Sequence, residues 1–292
     1  MVVASQRKQL LSRVLLVSSK AGSMTPEIEQ KLRDAFPDHR VIAFNPRRDF
    51  RKLLTPRARV VVAGGDGTIE FVARALADSD HTLGIVSLGT FNNFARSLGL
   101  PEDVDDAIRA VRSGHPRPIK IGRVNGKAFL EAAAIGMFGA AIELGEAAKE
   151  RVFGGLGRKL SAVTGAKPFH YELTGDIQGH GRALSLVFAN TPSIGAGLAV
   201  SGVTPIDPFL ELSVHAGRSR TDILTRLVTG RLGRREPEPG LDMGLRFTRL
   251  TVETRPRVPV YADSKRVGST PAAITAEVGG LKVLLPRKPR RA

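Results

Sequence analysis

The chain has 292 residues, with 44 Lys and Arg against 28 Asp and Glu, a formal charge of +16. At about 150 residues per domain that length predicts two domains, and a hydrophobic fraction of 42% is ample for buried cores, which excludes general disorder. Cysteine is absent, which excludes a disulfide framework, a thiolate metal site and a cysteine nucleophile.

In chain order, residues 13–18 form a short apolar run that predicts a strand. Pro26 then sits where a first helical turn tolerates it, and Ile28, Leu32, Ala35 and Phe36 follow at helical spacing. Residues 40–44 and 58–63 predict buried strands, the second centred on Val60, Val61 and Val62. Ile69, Val72, Ala73 and Leu76 mark the next helix, and 82–88 another buried strand. A short helix after Thr90 stops at Gly99 and Pro101, and Val104, Ala107, Ile108 and Val111 mark one more. Such alternation of apolar strands with helices predicts an open parallel α/β sheet covered on both faces. The remainder changes character. Segments 127–134, 183–189, 210–215, 249–254, 258–262, 273–277 and 281–285 predict strands joined by Gly/Pro turns, with helix near 140–151 and 221–229. Residues 232–240 predict an exposed loop. The expected organisation is an α/β domain over 1–122 and a β-rich, sandwich-like domain over 123–292.

The charge fits three kinds of partner: nucleic acid, an anionic membrane surface or a phosphorylated small molecule. Basic residues are densest at Arg47, Arg48, Arg51 and Lys52, at Arg218, Arg220, Arg226, Arg231, Arg234 and Arg235, and in a tail from Arg287 to Arg291. Aromatics are only 5% and Trp is absent, so the stacking platforms of base-reading proteins are missing and nucleic acid is disfavoured. The longest apolar stretch, 11 residues over 132–142, falls short of the roughly 18 a membrane helix needs. After Arg7 and Lys8 the apolar run is too short for a signal peptide. The expectation is a cytoplasmic protein that meets the membrane peripherally.

Two motifs carry chemistry. Gly64-Gly65-Asp66-Gly67-Thr68 lies between a strand and a helix. Glycines at a strand's carboxyl end let backbone amides approach an anion, and the following helix adds its dipole. Asp66 is placed to hold Mg²⁺ or orient a hydroxyl, although Gly and Asp are also ordinary turn residues. The second motif, Gly89-Thr90-Phe91-Asn92-Asn93-Phe94-Ala95-Arg96, follows the next strand, so both loops would face one crevice. A Walker A is absent, because Gly126-Lys127 is followed by Ala128. A Rossmann fingerprint is absent too, because Val200 stands where the third glycine would fall. The six histidines lack metal-ligand spacing. Gly154-Gly155-Leu156-Gly157 with Arg158 and Lys159 reads as a flexible hinge or a lipid-phosphate contact.

With those loops the chain resembles the diacylglycerol kinase catalytic-domain family of lipid kinases, which is related to sphingoid-base kinases and more distantly to NAD kinases. Weaker matches extend through Ile119 to Ala134, Ala189-Asn190, Gly195 to Leu198 and Asp207 to Leu212, and on to the last strands. The resemblance implies ATP and Mg²⁺ as cofactors and transfer of the γ-phosphoryl to a lipid hydroxyl of diacylglycerol type, in a cleft between the domains. It implies nucleotide contacts by Gly64, Gly65, Asp66, Gly67, Thr68, Gly89, Thr90 and Asn92, a catalytic role for Asp66, and a small structural Mg²⁺ loop at Asp207. Implied partners are the lipid substrate and, transiently, an anionic membrane surface; a homodimer is left open.

Five departures from the family pattern stand out. The late Asp-Gly-Glu, whose glutamate is the proposed general base, is Asp263-Ser264-Lys265 here, and an ammonium is no simple substitute for a carboxylate. The early nucleotide loop is Ser18-Ser19-Lys20-Ala21-Gly22-Ser23. Ile69-Glu70-Phe71 follows Thr68, and Glu70 could restore a carboxylate. The usual Asn-Asp pair is Asn92-Asn93, and the metal-loop Asp-Gly is Asp207-Pro208. Two readings therefore stand: a lipid kinase relying on Asp66, and a catalytically impaired binder of nucleotide or lipid on the same fold. A third, polyanion binding by charge alone, would show a steep salt dependence.

Overall fold

A computed structural model of the chain describes residues 11–149, 161, 163, 165–195, 197–215 and 242–286. The expected helix at 221–229, the loop at 232–240, the glycines from Gly154 to Gly157, the basic run from Arg218 to Arg235 and the tail from Arg287 lie outside them. The chain divides into two compact units, Met1–Pro118 with Gly280–Ala292, and Ile119–Gly279.

In the first unit β1 (Leu11–Val17), α1 (Pro26–Ala35), β2 (Arg40–Ala43), β3 (Leu54–Gly64), α2 (Asp66–Leu76), β4 (Thr82–Ser87), α3 (Asn93–Ser97) and α4 (Val104–Ser113) follow the expected alternation. The strands lie in the order β2-β1-β3-β4 and all pair in parallel. Thr25 caps α1 through its side-chain oxygen and Asp103 caps α4 likewise, each accepting from the amide three residues on. The apolar faces bury as the spacing predicts: Ile69, Val72, Ala73 and Leu76 of α2 are buried, as are Val60, Val61 and Val62 of β3.

The second unit contains β5 (His115–Val124), which begins just before it, then β6 (Lys127–Phe129), β7 (Ala132–Gly136), α5 (Met137–Lys149), β8 (Phe169–Gly175), β9 (Gly179–Ala183) and β10 (Ser185–Ala189). After the two-residue ladder β11 (Ser193–Ile194) and β12 (Leu198–Ala199) come β13 (Leu210–His215), β14 (Asp242–Phe247), β15 (Arg249–Arg255), β16 (Pro259–Ala262), β17 (Lys265–Ser269) and β18 (Ala272–Leu285). One antiparallel sheet runs β14-β13-β10-β7-β16-β17. In the other, β15 pairs with β8 and with the first part of β18, and β8 pairs with β9. Their inner faces share one core that includes Phe129, Phe169, Phe188, Phe247, Leu250 and Ile274. This is the sandwich-like, β-rich domain that the sequence predicts.

Two differences from the predicted elements have physical causes. The run 127–134 is two strands, because the amides of Leu130, Glu131 and Ala132 turn toward the Asp263 carboxylate. The separate strands 273–277 and 281–285 are one, β18, which runs through the Gly279-Gly280 pair with Gly279 at φ +83°. Lys282 and Val283 at its far end pair in parallel with Thr82 and Leu83 of β4. For that reason 280–292 belongs to the first unit, whereas the sequence boundary placed it with the second.

Candidate active site

In the first unit three loops leave the carboxyl ends of β1, β3 and β4, where the order β2-β1-β3 reverses direction and an open sheet has its crevice. Backbone bonds tie the loops together. The Ser18 amide donates to Ala63 (2.9 Å), that of Leu88 to Gly64 (2.8 Å) and that of Ser23 to Leu88 (3.2 Å). Gly65 is the N-cap of α2 and has no side chain to cap with; its carbonyl accepts from the amides of Thr68 and Ile69 at 3.0 Å. The amides of Asp66 and Gly67 precede any intrahelical donor, so with the helix dipole they make an anion-binding end. A Cβ on Gly64 would stand 2.9 Å from the Thr68 side chain, so glycine there is what lets Thr68 fold back on the strand end.

Asp66 is where two loops meet. Its Oδ1 accepts from the Asn93 amide at 3.2 Å. A Cβ on Gly89 would lie 2.8 Å from its Oδ2 and 2.8 Å from Asn92 Oδ1, so the Gly89 backbone is packed directly against the carboxylate. Asn92, left-handed at φ +49°, accepts from the Gly89 amide and donates to the Gly89 carbonyl, closing the turn. Its amide thus shapes the loop, while Thr90 and Gly67 are exposed at the rim. The structure brings together Gly64, Gly65, Asp66, Gly67, Thr68, Gly89, Thr90 and Asn92, all within the first unit. Glu70, the carboxylate that could stand in for the family's, is engaged by Arg74 at 3.1 Å one turn on.

The other sequence-derived residues lie in the second unit. Asp263, left-handed at φ +50°, accepts with one carboxylate from the amides of Leu130, Glu131 and Ala132. Lys265 is exposed at the start of β17. Around the same break Asn190 donates to the Leu130 carbonyl at 2.7 Å, and buried Glu131 accepts from the Gly195 amide at 3.1 Å. Asp207 Oδ2 accepts from the Thr204 amide (2.7 Å) and hydroxyl (2.9 Å). Burial opposes ionisation of Asp207, but those two bonds, with Lys120 and Arg246 nearby, hold its carboxyl below the usual range. The carbonyls of Thr204 and Phe209, which flank Asp207 in this loop, accept from Lys120 Nζ. The residues present therefore do not fit a metal at Asp207, and among the described residues there is no cluster of three or more His, Asp or Glu. Lys120, Glu131 and the structural role of Asp263 escape sequence reasoning. The one available signal was a lysine between two isoleucines, which a strand alternation reads as solvent-facing.

The sequence profile of the diacylglycerol kinase catalytic domain matches residues 15–124. A protein of Pseudomonas aeruginosa named "Probable lipid kinase YegS-like" is 31% identical over 236 residues, 78% of this chain and 77% of its own length. The diacylglycerol kinase of Bacillus subtilis is 49% identical over 80 residues, 26% of each chain. A crystal structure of a diacylglycerol kinase from Bacillus anthracis superposes with a TM-score of 0.70 at 21% identity, covering 94% of this chain and 97% of that one. An NAD kinase from Archaeoglobus fulgidus, in complex with ATP, superposes with a TM-score of 0.51 at 15% identity, covering 94% and 93%.

Proposed function

The chain belongs to the lipid kinases of the diacylglycerol kinase catalytic-domain family, and from that premise we propose that it transfers the γ-phosphoryl of ATP to a hydroxyl of a diacylglycerol-like lipid. The observation that carries this reading is the meeting of two glycine-rich strand-end loops on one carboxylate, Asp66. The nucleotide phosphates settle against the first-turn amides of α2 and the Gly89-Thr90 turn. Asp66, oriented by the Asn93 amide, accepts the proton of the lipid hydroxyl as its oxygen bonds the γ-phosphorus and the bond to the β–γ bridging oxygen breaks, releasing ADP. Mg²⁺, an oxygen-seeking ion, would be held by the Asp66 carboxylate and the phosphates of the nucleotide, and would supply charge neutralisation there. Exposed Arg47, Arg48, Arg51 and Lys52 are suited to transient docking on an anionic membrane at about 1 kcal/mol per residue. No described helix is long and apolar enough to cross one.

Transfer from labelled ATP to diacylglycerol, phosphatidylglycerol and a sphingoid base tests the proposal, with Asp66→Asn and Lys265→Glu beside the wild type. Wild-type transfer that falls by at least about 10²-fold in Asp66→Asn is the expected result. A second reading, a binder impaired in catalysis, is favoured by one observation: a lysine at the position of the family's glutamate. It predicts a silent wild type and activity gained in Lys265→Glu. Full turnover by Asp66→Asn would remove the mechanistic core of the first reading.

A further inference from the structure

Lys120 is among the largest fully buried side chains of the described residues, 1% exposed on β5 between Ile119 and Ile121. A buried ammonium is retained only where oxygen acceptors replace its water. Here they come from one loop. Lys120 Nζ donates to the carbonyls of Thr204 (3.2 Å) and Phe209, and its backbone amide donates to the carbonyl of Pro205 at 2.8 Å. The loop winds around Asp207, whose amide donates to Thr204 at 3.0 Å and whose Oδ2 turns back on the Thr204 amide and hydroxyl. The Arg246 guanidinium stands 4.5 Å over the Phe209 ring.

Main-chain carbonyls from a tight loop beside one carboxylate are the donor set that a hard divalent cation uses. In this chain an ammonium already engages those carbonyls, with a second fixed cation, Arg246, close to the same carboxylate. We propose that Lys120 is a built-in replacement for a bound ion. Its ammonium closes the 204–209 loop onto β5 through the Thr204 and Phe209 carbonyls, and the Asp207 loop takes no metal. The loop leads directly into β13, so the lysine fixes where that strand starts. An ion can be lost to a chelator or diluted away; a covalently attached ammonium cannot.

The test uses the full nucleotide-free chain and three proteins: wild type, Asp207→Asn and Lys120→Met. Mn²⁺ binding is followed by electron paramagnetic resonance, and melting is compared in EDTA and in millimolar Mg²⁺. We expect no Mn²⁺ site in the wild type that Asp207→Asn removes, and the same wild-type Tm in both buffers. Lys120→Met should lower Tm by about 5 °C or more, since two carbonyls lose their donor. A wild-type Mn²⁺ site abolished by Asp207→Asn would overturn the proposal, and so would a Lys120→Met protein melting with the wild type. Should Lys120→Met yield no folded protein, the wild type and Asp207→Asn decide through the metal measurements alone.

Discussion

Single atoms set the geometry at Asp66. The Gly89 backbone leaves no room for a methyl group, since a Cβ there would sit 2.8 Å from both Asp66 Oδ2 and Asn92 Oδ1. Gly89→Ala must push the carboxylate off its Asn93 bond. A displacement of about 1 Å typically costs about 10²-fold in rate, so kcat should fall by that order while Tm stays within about 2 °C, measured by labelled-ATP transfer and by melting. His39 shows a different residue-scale effect. Both its ring nitrogens are buried without a partner, and its edge meets the Phe36 ring with centroids 5.2 Å apart. Burial pulls its pKa to about 4, reinforced by Arg59 and Arg13 and opposed by Asp38. Between about 6.5 and about 4 the unfolded chain binds a proton that the native ring refuses, so stability is lost as pH falls through that window. In denaturant titrations across it, His39→Gln should flatten that part of the stability curve.

At the scale of elements, the parallel α/β half was legible because its signals are local. Four apolar positions at helical spacing identify α2, and three valines in a row identify the core of β3; all seven side chains are buried. The two glycine-rich loops were legible for the same reason, each being a contiguous stretch at a strand end. What the sequence hid are arrangements made by residues far apart. The break between β6 and β7 depends on Asp263, 133 residues from Leu130. Asp263→Ala leaves three buried amides without their acceptor and should cost about 2–4 kcal/mol in urea unfolding, out of proportion to its single side chain. A drop below about 1 kcal/mol would mean that water replaces the carboxylate. Lys120 was hidden by its own chemistry: strand alternation assigns a lysine to solvent, and only the fold supplies the carbonyls that hold it inside.

The whole molecule is two units whose boundary does not follow chain order. The first includes Gly280–Ala292, because Lys282 and Val283 pair with β4. Deleting 280–292 therefore removes a strand from the first unit, not from the second. Amide exchange should report this as lost protection in residues 82–87 with little change in β10 and β13, and equal loss in both would contradict the division. Contacts such as Lys282 with Asp80 join residues 202 apart in sequence, which places this pairing among the slow steps of folding. On a ribosome the same separation becomes an interval of time. At 5–20 residues per second, β4 waits roughly 10–40 s for its neighbour, with an unpaired edge open to other nascent chains and to chaperones. The residues of the second unit emerge during that wait, so the half of the protein that is made first is the last to be closed.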